Sequence, residues 1–167
     1  MQKYKRIVLK LSGEALKGQY DFGIDFTRAK EYVLQIKELV DTGIEVAIVI
    51  GGGNIFRGKD ALNNGVERVK ADHMGLLSTV MNGLALQSVF QNMEINAQIF
   101  SAIRMEPFVT YYTQHDAMEA LQKHKVIIFT CGTGNPFFTT DTAAALRASE
   151  IYADVLLKGT RVDGVYS

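Results

Sequence analysis

The sequence predicts an α/β fold with a mostly parallel central sheet and helices on both of its faces. Three observations lead to this prediction. Short apolar runs alternate along the chain with segments of helical period, as in successive βαβ units. Most of these runs are continuously apolar, which is typical of parallel strands buried on both sides. The chain has 167 residues and no low-complexity stretch or repeat, which suits one domain or a domain and a half.

The first half of the chain shows this alternation clearly. Residues 7–11 form an apolar run that is interrupted only by Lys10, and this run predicts a strand. Residues 27–42 carry apolar side chains at the spacing of one helical face, and Gly43 follows where a C-terminal helix cap is expected. Residues 44–50 are rich in β-branched side chains and predict a second buried strand.

The second half continues the pattern with three helices and three strands. The longest predicted helix, over residues 71–93, carries its apolar side chains on one face: Met74, Leu77, Val80, Met81 and Leu84. The other predicted helices cover residues 116–124 and 140–152, and the predicted strands cover residues 95–100, 126–131 and 155–158.

The composition excludes several classes of function. Lys plus Arg and Asp plus Glu each total 18, so a neutral chain has no broad electrostatic footprint for nucleic acid or an anionic membrane. One cysteine, Cys131, permits neither an intramolecular disulfide nor a cysteine-based zinc site, and a small buried residue is expected there. Neither a signal-peptide core nor a membrane-length apolar run is found, so a cytoplasmic location is expected.

Glycines follow three of the predicted strands. The sequence is Lys10-Leu11-Ser12-Gly13 after the first, Gly51-Gly52-Gly53-Asn54 after the second and Gly132-Thr133-Gly134-Asn135-Pro136 after the fourth. In open α/β sheets ligands bind beyond the carboxyl ends of the strands. Glycine lets the backbone approach phosphate oxygens and turn its N–H groups toward them. A single glycine sequence after a strand would equally mark a tight turn, but three such sequences at one edge of the sheet favour phosphate binding.

Two familiar nucleotide-binding motifs do not fit. Residues 53–59 have the spacing of a P-loop, but Asp60 stands where that motif needs a hydroxyl for Mg²⁺. The dinucleotide fingerprint fails because Phe56 and Phe137 occupy the positions of its third glycine.

Four charged residues near these turns are candidates for the site, and each has both a structural and a functional interpretation. Lys10 lies at a strand end or solvated edge, or it stabilises developing negative charge on phosphate. Arg57 is a surface residue or a phosphate fork. Asp72 caps the long helix or accepts a sugar hydroxyl. Asp141 caps the last helix, or it organises lysines or water-bound Mg²⁺ near the transferring group.

The glycine motifs belong to longer sequences that together resemble a known family. These are KLSGEAL (residues 10–16), GGGNIFRG (51–58), DHMG (72–75), MNGLA (81–85) and GTGNPFFTTDTA (132–143). They resemble the amino acid kinase superfamily and, within it, the bacterial UMP kinases. The resemblance extends from about residue 4 to residue 166.

The resemblance implies a three-layer αβα sandwich with the amino acid kinase fold. It further implies ATP-dependent phosphorylation of UMP to UDP in pyrimidine nucleotide biosynthesis, with Mg²⁺ accompanying ATP. The resemblance also implies assembly as a homohexamer, with activation by GTP and inhibition by UTP. Residues 1–167 would form one amino acid kinase domain, comprising the UMP-binding N-terminal portion and the beginning of the ATP-binding portion.

The resemblance also assigns residues to each part of the site. The catalytic residues would be Lys10, Arg57 and Asp141, with Lys158 assisting. The ATP-binding residues would be Lys10, Leu11, Ser12, Gly13, Gly53, Arg57, Thr160 and Tyr166. The UMP-binding residues would be Gly52, Asp72, Thr133, Gly134, Asn135, Pro136, Phe137, Phe138, Thr139 and Thr140. GTP activation would involve Gly18, Gln19, Tyr20, Asp21, Phe22 and Gly23. No residue is assigned as a direct metal ligand.

Two alternatives to a UMP kinase remain open. Members of the family continue well beyond the motif at residues 162–167, so we expect the C-terminal part of the fold to be missing and the ATP site to be incomplete. A non-catalytic module that binds uridine nucleotides is therefore one alternative. The other is a kinase of the superfamily that acts on a carboxylate or carbamate, although residues 134–140 suit a base and sugar better.

Overall fold

The computed structural model describes residues 3–159, which form a parallel sheet covered on both faces by helices. The strands are β1 (Arg6–Leu11), β2 (Glu45–Ile50), β3 (Ala97–Ser101), β4 (Thr110–Tyr111), β5 (Val126–Thr130) and β6 (Val155–Gly159). The helices are α1 (Phe26–Asp41), α2 (Gly58–Asn63), α3 (Arg68–Asn92), α4 (Gln114–Gln122) and α5 (Thr140–Glu150), and a 3₁₀ turn spans Gly13–Leu16.

The order of the strands in the sheet is β4-β3-β5-β2-β1-β6, and all of their pairings are parallel. This confirms the predicted α/β class. The strand β2 is buried at every position because both faces of the sheet are covered. Its residues alternate between two cores, with Ile48 packing on the side of α1 and α3 and Val49 on the side of α4 and α5.

Local sequence explains where α1 begins and ends. The carboxylate of Asp25 accepts hydrogen bonds from the backbone N–H groups of Thr27 and Arg28, which have no partner inside the helix. Val33 and Ile36 form the buried face one turn apart. The helix ends before Gly43, whose φ of 86° is the left-handed conformation that glycine adopts readily.

The long helix α3 departs from the prediction in its start and in the face that it buries. It begins at Arg68 rather than at residue 71. The predicted apolar face lies mostly at the surface, since Leu77 and Met81 are 53% and 55% exposed. The opposite face packs on the sheet because it carries small residues. A Cβ on Gly83 would lie 2.6 Å from Cγ2 of Thr130, so only glycine permits this approach.

Three short elements had no counterpart in the sequence analysis: α2, β4 and the 3₁₀ turn. Two residues of β4 are too few to produce a periodic pattern, and the pairing of β4 with β3 depends on tertiary contact. Within residues 3–159, no helix combines the length and apolar character that a membrane span requires.

Candidate functional site

The carboxyl ends of β5, β2 and β1 are neighbours, so the three glycine turns lie at one edge of the sheet as predicted. The turns after β1 and β2 are in direct backbone contact. A Cβ on Gly13 would lie 2.4 Å from Oδ1 of Asn54 and 2.8 Å from the backbone nitrogen of Gly53. Glycine at residue 13 is therefore a steric requirement of this contact.

The turn after β2 also packs closely on α3. A Cβ on Gly52 would lie 2.7 Å from Cβ of Ser78 and 2.9 Å from the carbonyl oxygen of Gly75. Among the described residues, none accepts a hydrogen bond from the backbone N–H of Gly52 or Gly53. Two adjacent N–H groups with this property can bind an anion such as a phosphate oxygen.

A cleft of about 180 Å³ lies beside this turn. Five residues of the set assigned to UMP line it: Gly52, Asp72, Asn135, Phe138 and Thr140. Seven further residues complete the lining: Gly53, Phe56, Gly58, Ala71, Gly75, Leu76 and Thr79. Gly53, which the resemblance assigns to ATP, thus lies in the same cleft. The small residues on α3 leave room for the cleft between this helix and the turn. The sequence analysis did not identify them because they carry no reactive group.

The loop after β5 forms the opposite wall of the cleft. Its backbone is tightly turned, since Gly132, Gly134 and Phe137 all have positive φ. The hydroxyl of Thr133 accepts a hydrogen bond from the N–H of Asn135, and Thr139 caps α5 through the N–H of Thr142. The remaining members of the assigned UMP set shape this loop rather than line the cleft: Thr133, Gly134, Pro136, Phe137 and Thr139.

Cys131 begins this loop and is fully buried. Burial raises the pKa of its thiol, and the backbone N–H of Cys131 donates to the hydroxyl of Thr79 at 2.7 Å. A buried thiol with a raised pKa is unreactive, in agreement with the small buried residue that was expected.

Asp72 links α3 to the loop after β5. The capping interpretation is wrong, because α3 starts four residues earlier and Glu67 occupies the N-cap position. The carboxylate of Asp72 accepts from Nε of Arg68 at 2.9 Å and from the backbone N–H of Phe137 at 2.8 Å. Partial burial acts to raise the pKa of Asp72, but these hydrogen bonds outweigh it and lower the pKa.

Arg68 was missed by the sequence analysis. Besides pairing with Asp72, its guanidinium lies 5.3 Å from the ring centroid of Phe137. The spacing of four residues between Arg68 and Asp72 on one helix is the signal that could have revealed the pair.

Lys10, Asp141 and Lys158 form a charge cluster next to the cleft. Nζ of Lys10 lies 2.9 Å from Oδ1 of Asp141, and Nζ of Lys158 lies 2.7 Å from Oδ2. Lys10 and Lys158 are paired positions on β1 and β6, while Asp141 follows the cleft residue Thr140. The hydrogen bonds from Lys158 and Lys10 lower the pKa of Asp141.

Burial and capping bear on the alternatives for two members of this cluster. The side chain of Lys10 is only 11% exposed, so Lys10 does not lie on a solvated edge, although as the residue before the last of β1 it does lie at a strand end. Asp141 is not the cap of α5, because the hydroxyl of Thr139 takes that role. The structure instead shows Asp141 organising two lysines, and the cluster keeps a net positive charge at the end of the sheet where the glycine turns lie.

Arg57 is held by Glu14 in this structure. Nη2 of Arg57 lies 2.9 Å from Oε1 of Glu14, and Nζ of Lys17 lies 3.2 Å from Oε2. Burial opposes the shift, but the hydrogen bonds from Lys17 and Arg57 lower the pKa of Glu14. The guanidinium is about half exposed, so it can exchange Glu14 for a phosphate by changing its rotamer.

The segment assigned to GTP activation contacts the turn after β2 through hydrogen bonds between Gly23 and Asn54. Gly18, Gln19 and Tyr20 line an open cleft of about 900 Å³ with residues of α1, including Arg28 and Tyr32. The three residues that follow, Asp21, Phe22 and Gly23, do not line this cleft.

Thr160 and Tyr166 lie outside the described residues, Leu11 is the last residue of β1, and Ser12 follows it at the start of the 3₁₀ turn. Among the described residues, His115, Asp116 and Glu119 of α4 have ligand atoms close enough for one metal ion. These side chains are mostly exposed, and Glu119 is paired with Lys123, so we assign no metal to them.

The sequence matches the profile of the Amino acid kinase family over residues 5–167. It is 54% identical to a uridylate kinase from Parabacteroides distasonis over 167 residues, which are all of this chain and 71% of that protein. A UMP kinase from Bacillus anthracis superposes with a TM-score of 0.94 at 38% identity, over 98% of this chain and 68% of that chain. A UMP kinase from Ureaplasma parvum gives a TM-score of 0.92 at 40% identity, over 98% and 73% of the two chains.

Proposed function

The chain belongs to the amino acid kinase family, and we propose that it catalyses the ATP-dependent phosphorylation of UMP to UDP. The structural observation that supports this most directly is the cleft beside the turn after β2. The N–H groups of Gly52 and Gly53 lie at its wall without an acceptor among residues 3–159, and the carboxylate of Asp72 lines it. Such a cleft can hold the phosphate of a nucleotide at the turn and a sugar hydroxyl at Asp72.

The charge cluster supplies the second part of the mechanism. Phosphoryl transfer depends on positioning and on stabilisation of charge at the transferring group, with no covalent intermediate on the enzyme. We assign Lys10 to that charge because its largely buried side chain is already fixed by Asp141 and needs little reorganisation when charge develops. Asp141 holds Lys10 and Lys158 in place, and Arg57 provides a bidentate fork for a phosphate once it leaves Glu14.

The donor nucleotide binds beside the same edge of the sheet. We assign Lys10, Leu11, Ser12, Gly13, Gly53, Arg57, Thr160 and Tyr166 to ATP and the residues of the 132–140 segment with Gly52 and Asp72 to UMP. Residues 1–167 then comprise the UMP-binding portion of one domain and the beginning of its ATP-binding portion. The cytoplasmic location and a role in pyrimidine nucleotide biosynthesis remain predictions that accompany this assignment.

Mg²⁺ enters this proposal with ATP rather than through a protein site. Both oxygens of Asp141 already accept from lysines, so the described residues at this edge offer no free set of carboxylates. Mg²⁺ typically retains waters and binds substrate phosphates with few protein ligands, and it would neutralise phosphate charge in the complex.

A turnover assay of the full chain with MgATP and a panel of UMP, CMP and AMP tests the proposed function. We expect UDP to form fastest. Equal or faster turnover of CMP or AMP would refute the assignment of UMP, and turnover of a carboxylate or carbamate alone would favour the other branch of the superfamily. Calorimetry completes the test, since binding of UMP without any turnover identifies a non-catalytic module.

We also propose that the chain assembles as a homohexamer through contacts that include the exposed face of α3. Leu77, Met81 and Leu84 form an apolar groove of about 440 Å³ with Met105 and Phe108. Phe108 is 73% exposed, and contiguous apolar surface of this kind marks interfaces. Sedimentation of the Leu77→Glu variant should show smaller species, and an unchanged sedimentation coefficient would argue against this face.

Regulation by GTP and UTP is proposed on the resemblance, with one structural observation in support. The backbone N–H of Gly23, at the end of the segment assigned to GTP activation, donates a hydrogen bond of 2.7 Å to the carbonyl of Asn54. A change in the conformation of residues 18–23 would therefore act directly on the turn beside the cleft. Initial rates with and without GTP test this, and identical rates over a range of GTP concentrations would contradict it.

A further inference from the structure

Two buried asparagines lie behind the cleft and have no role in the mechanism so far. Asn82 lies in the middle of α3 and is 0% exposed, and Asn54 in the turn after β2 is 2% exposed. Their side-chain amides pair reciprocally. Nδ2 of Asn82 donates to Oδ1 of Asn54 at 2.7 Å, and Nδ2 of Asn54 donates to Oδ1 of Asn82 at 2.9 Å.

Each amide also donates to one backbone carbonyl. Nδ2 of Asn82 donates to the oxygen of Gly51 at 2.7 Å, and Nδ2 of Asn54 donates to the oxygen of Gly23 at 2.8 Å. The pair thus fixes three separate segments to one another: helix α3, the turn after β2 and the end of the 18–23 segment.

Stability alone does not explain these residues. Burying an amide is costly unless it is fully hydrogen-bonded, and asparagine has a low helix propensity. An apolar side chain would fill a buried helix position at lower cost. What an amide provides is a donor of fixed direction, here aimed at the carbonyl of Gly51.

The direction matters because the peptide bond between Gly51 and Gly52 is planar and trans. In a trans peptide the C=O and the following N–H point in opposite directions. Since the C=O of Gly51 points at Asn82, the N–H of Gly52 points away from Asn82. Gly52 lines the cleft, and no described residue accepts its N–H.

We propose that Asn82 is a positioning residue for phosphate binding: it holds the carbonyl of Gly51 and thereby aims the N–H of Gly52 into the cleft. Asn54 is its reciprocal partner and ties the same turn to Gly23. The inference rests on the proposed function in one respect, that the anion at the turn is the phosphate of UMP.

The test compares Asn82→Ala and Asn82→Asp with a control on the same helix. Asn82→Asp keeps the size of the side chain and its acceptor but loses both donated hydrogen bonds. We expect either variant to lower kcat/KM for UMP by about 100-fold, the loss typical of a displaced binding group. The control is Gln87→Ala, which loses the hydrogen bond from Nε2 to the oxygen of Ala97 but does not contact the turn. Its kcat and KM should match those of the unsubstituted chain.

A second measurement needs no catalysis. Hydrogen–deuterium exchange of the ligand-free full chain should accelerate in peptides covering residues 50–56 and 18–25 of Asn82→Asp, and not in Gln87→Ala. Circular dichroism identifies the variants that fold. If Asn82→Ala fails to fold, Asn82→Asp carries the test, and the exchange measurement is made on whichever variant folds.

The outcomes separate the two proposals. Folded Asn82 variants with unchanged UMP kinetics and unchanged exchange at residues 50–56 would overturn the positioning role while leaving the proposed function intact. Losses that are equal for Asn82→Asp and Gln87→Ala would mean that Asn82 is only structural. If the unsubstituted chain neither binds nor phosphorylates UMP, the proposed function fails, and exchange at residues 50–56 then decides on Asn82 by itself.

Discussion

The close contact between Gly52 and α3 makes the Gly52→Ala substitution a sharp test of how the cleft is built. The added Cβ would lie 2.7 Å from Cβ of Ser78 and 2.9 Å from the oxygen of Gly75. These atoms belong to the body of the helix and cannot rotate away, so the turn and α3 must separate. Overpacking of this kind costs about 1–3 kcal/mol.

Gly53→Ala is the matched control. Its Cβ would meet only the Glu14 side chain, with Oε1 at 3.5 Å and Cγ at 3.8 Å, which is ordinary contact. Neither glycine has a positive φ, so backbone strain does not separate the two variants. Gly53→Ala should be neutral or slightly stabilising, because alanine reduces the freedom of the unfolded chain.

Thermal unfolding by circular dichroism measures the difference. At about 2–4 °C per kcal/mol for a chain of this size, Gly52→Ala should lower Tm by about 2–12 °C and Gly53→Ala should not. Calorimetry should show weaker UMP binding for Gly52→Ala, since the N–H groups move with the turn. Equal Tm values for the two variants would refute the steric argument, because the two substitutions differ only in the space that each Cβ meets.

Three further predictions concern the charged residues. Lys10→Ala should reduce kcat by about 100-fold or more, as for loss of a charge-stabilising donor, while Tm changes little because Lys158 still pairs with Asp141. Exposed Lys123→Ala is the control in steady-state assays, and near-normal turnover by Lys10→Ala would contradict the role of Lys10. Arg68→Ala should raise KM for UMP by freeing Asp72 and Phe137, whereas Lys37→Ala, which breaks a comparable exposed pair with Asp41, should not. The lowered pKa of Asp141 means that its pairing stabilises the fold above its ordinary value of 3.8 and that this contribution is lost as pH falls through the lower folded value. Urea denaturation at several acidic pH values should therefore show a shallower decline for Asp141→Asn than for the unsubstituted chain, and parallel curves would exclude this contribution.

Much of the fold could be predicted because it depends on local pattern. The five predicted strands and the four predicted helices all exist among residues 3–159, with boundaries shifted by a few residues. The failures were elements without a local signal. The strand β4 is two residues long, and the buried face of α3 mixes apolar side chains with small and polar ones such as Ser78 and Asn82.

The sequence predicted which residues belong to the candidate site better than it predicted which of them contact one another. The glycine turns and Lys10 were identified because glycine after a strand and lysine inside an apolar run are locally unusual. The partners were predicted less completely. For Asp72 and Asp141 a helix cap stood beside the functional interpretation, since a carboxylate near a predicted helix start fits a cap by itself. No role was predicted for Arg68, Glu14 or Asn82, because each is an ordinary charged or polar residue until its partner is known.

The sequence by itself determined the α/β class, the three glycine turns at the carboxyl ends of strands and the resemblance that points to UMP. Backbone periodicity and glycine conformation are local properties, and the order of residues records them directly. The tertiary structure alone decided which groups meet. It paired Asp72 with the N–H of Phe137, 65 residues away, and Asn82 with the carbonyl of Gly51, 31 residues away. Such contacts depend on the packing of α3 against the sheet, and no local pattern encodes their geometry.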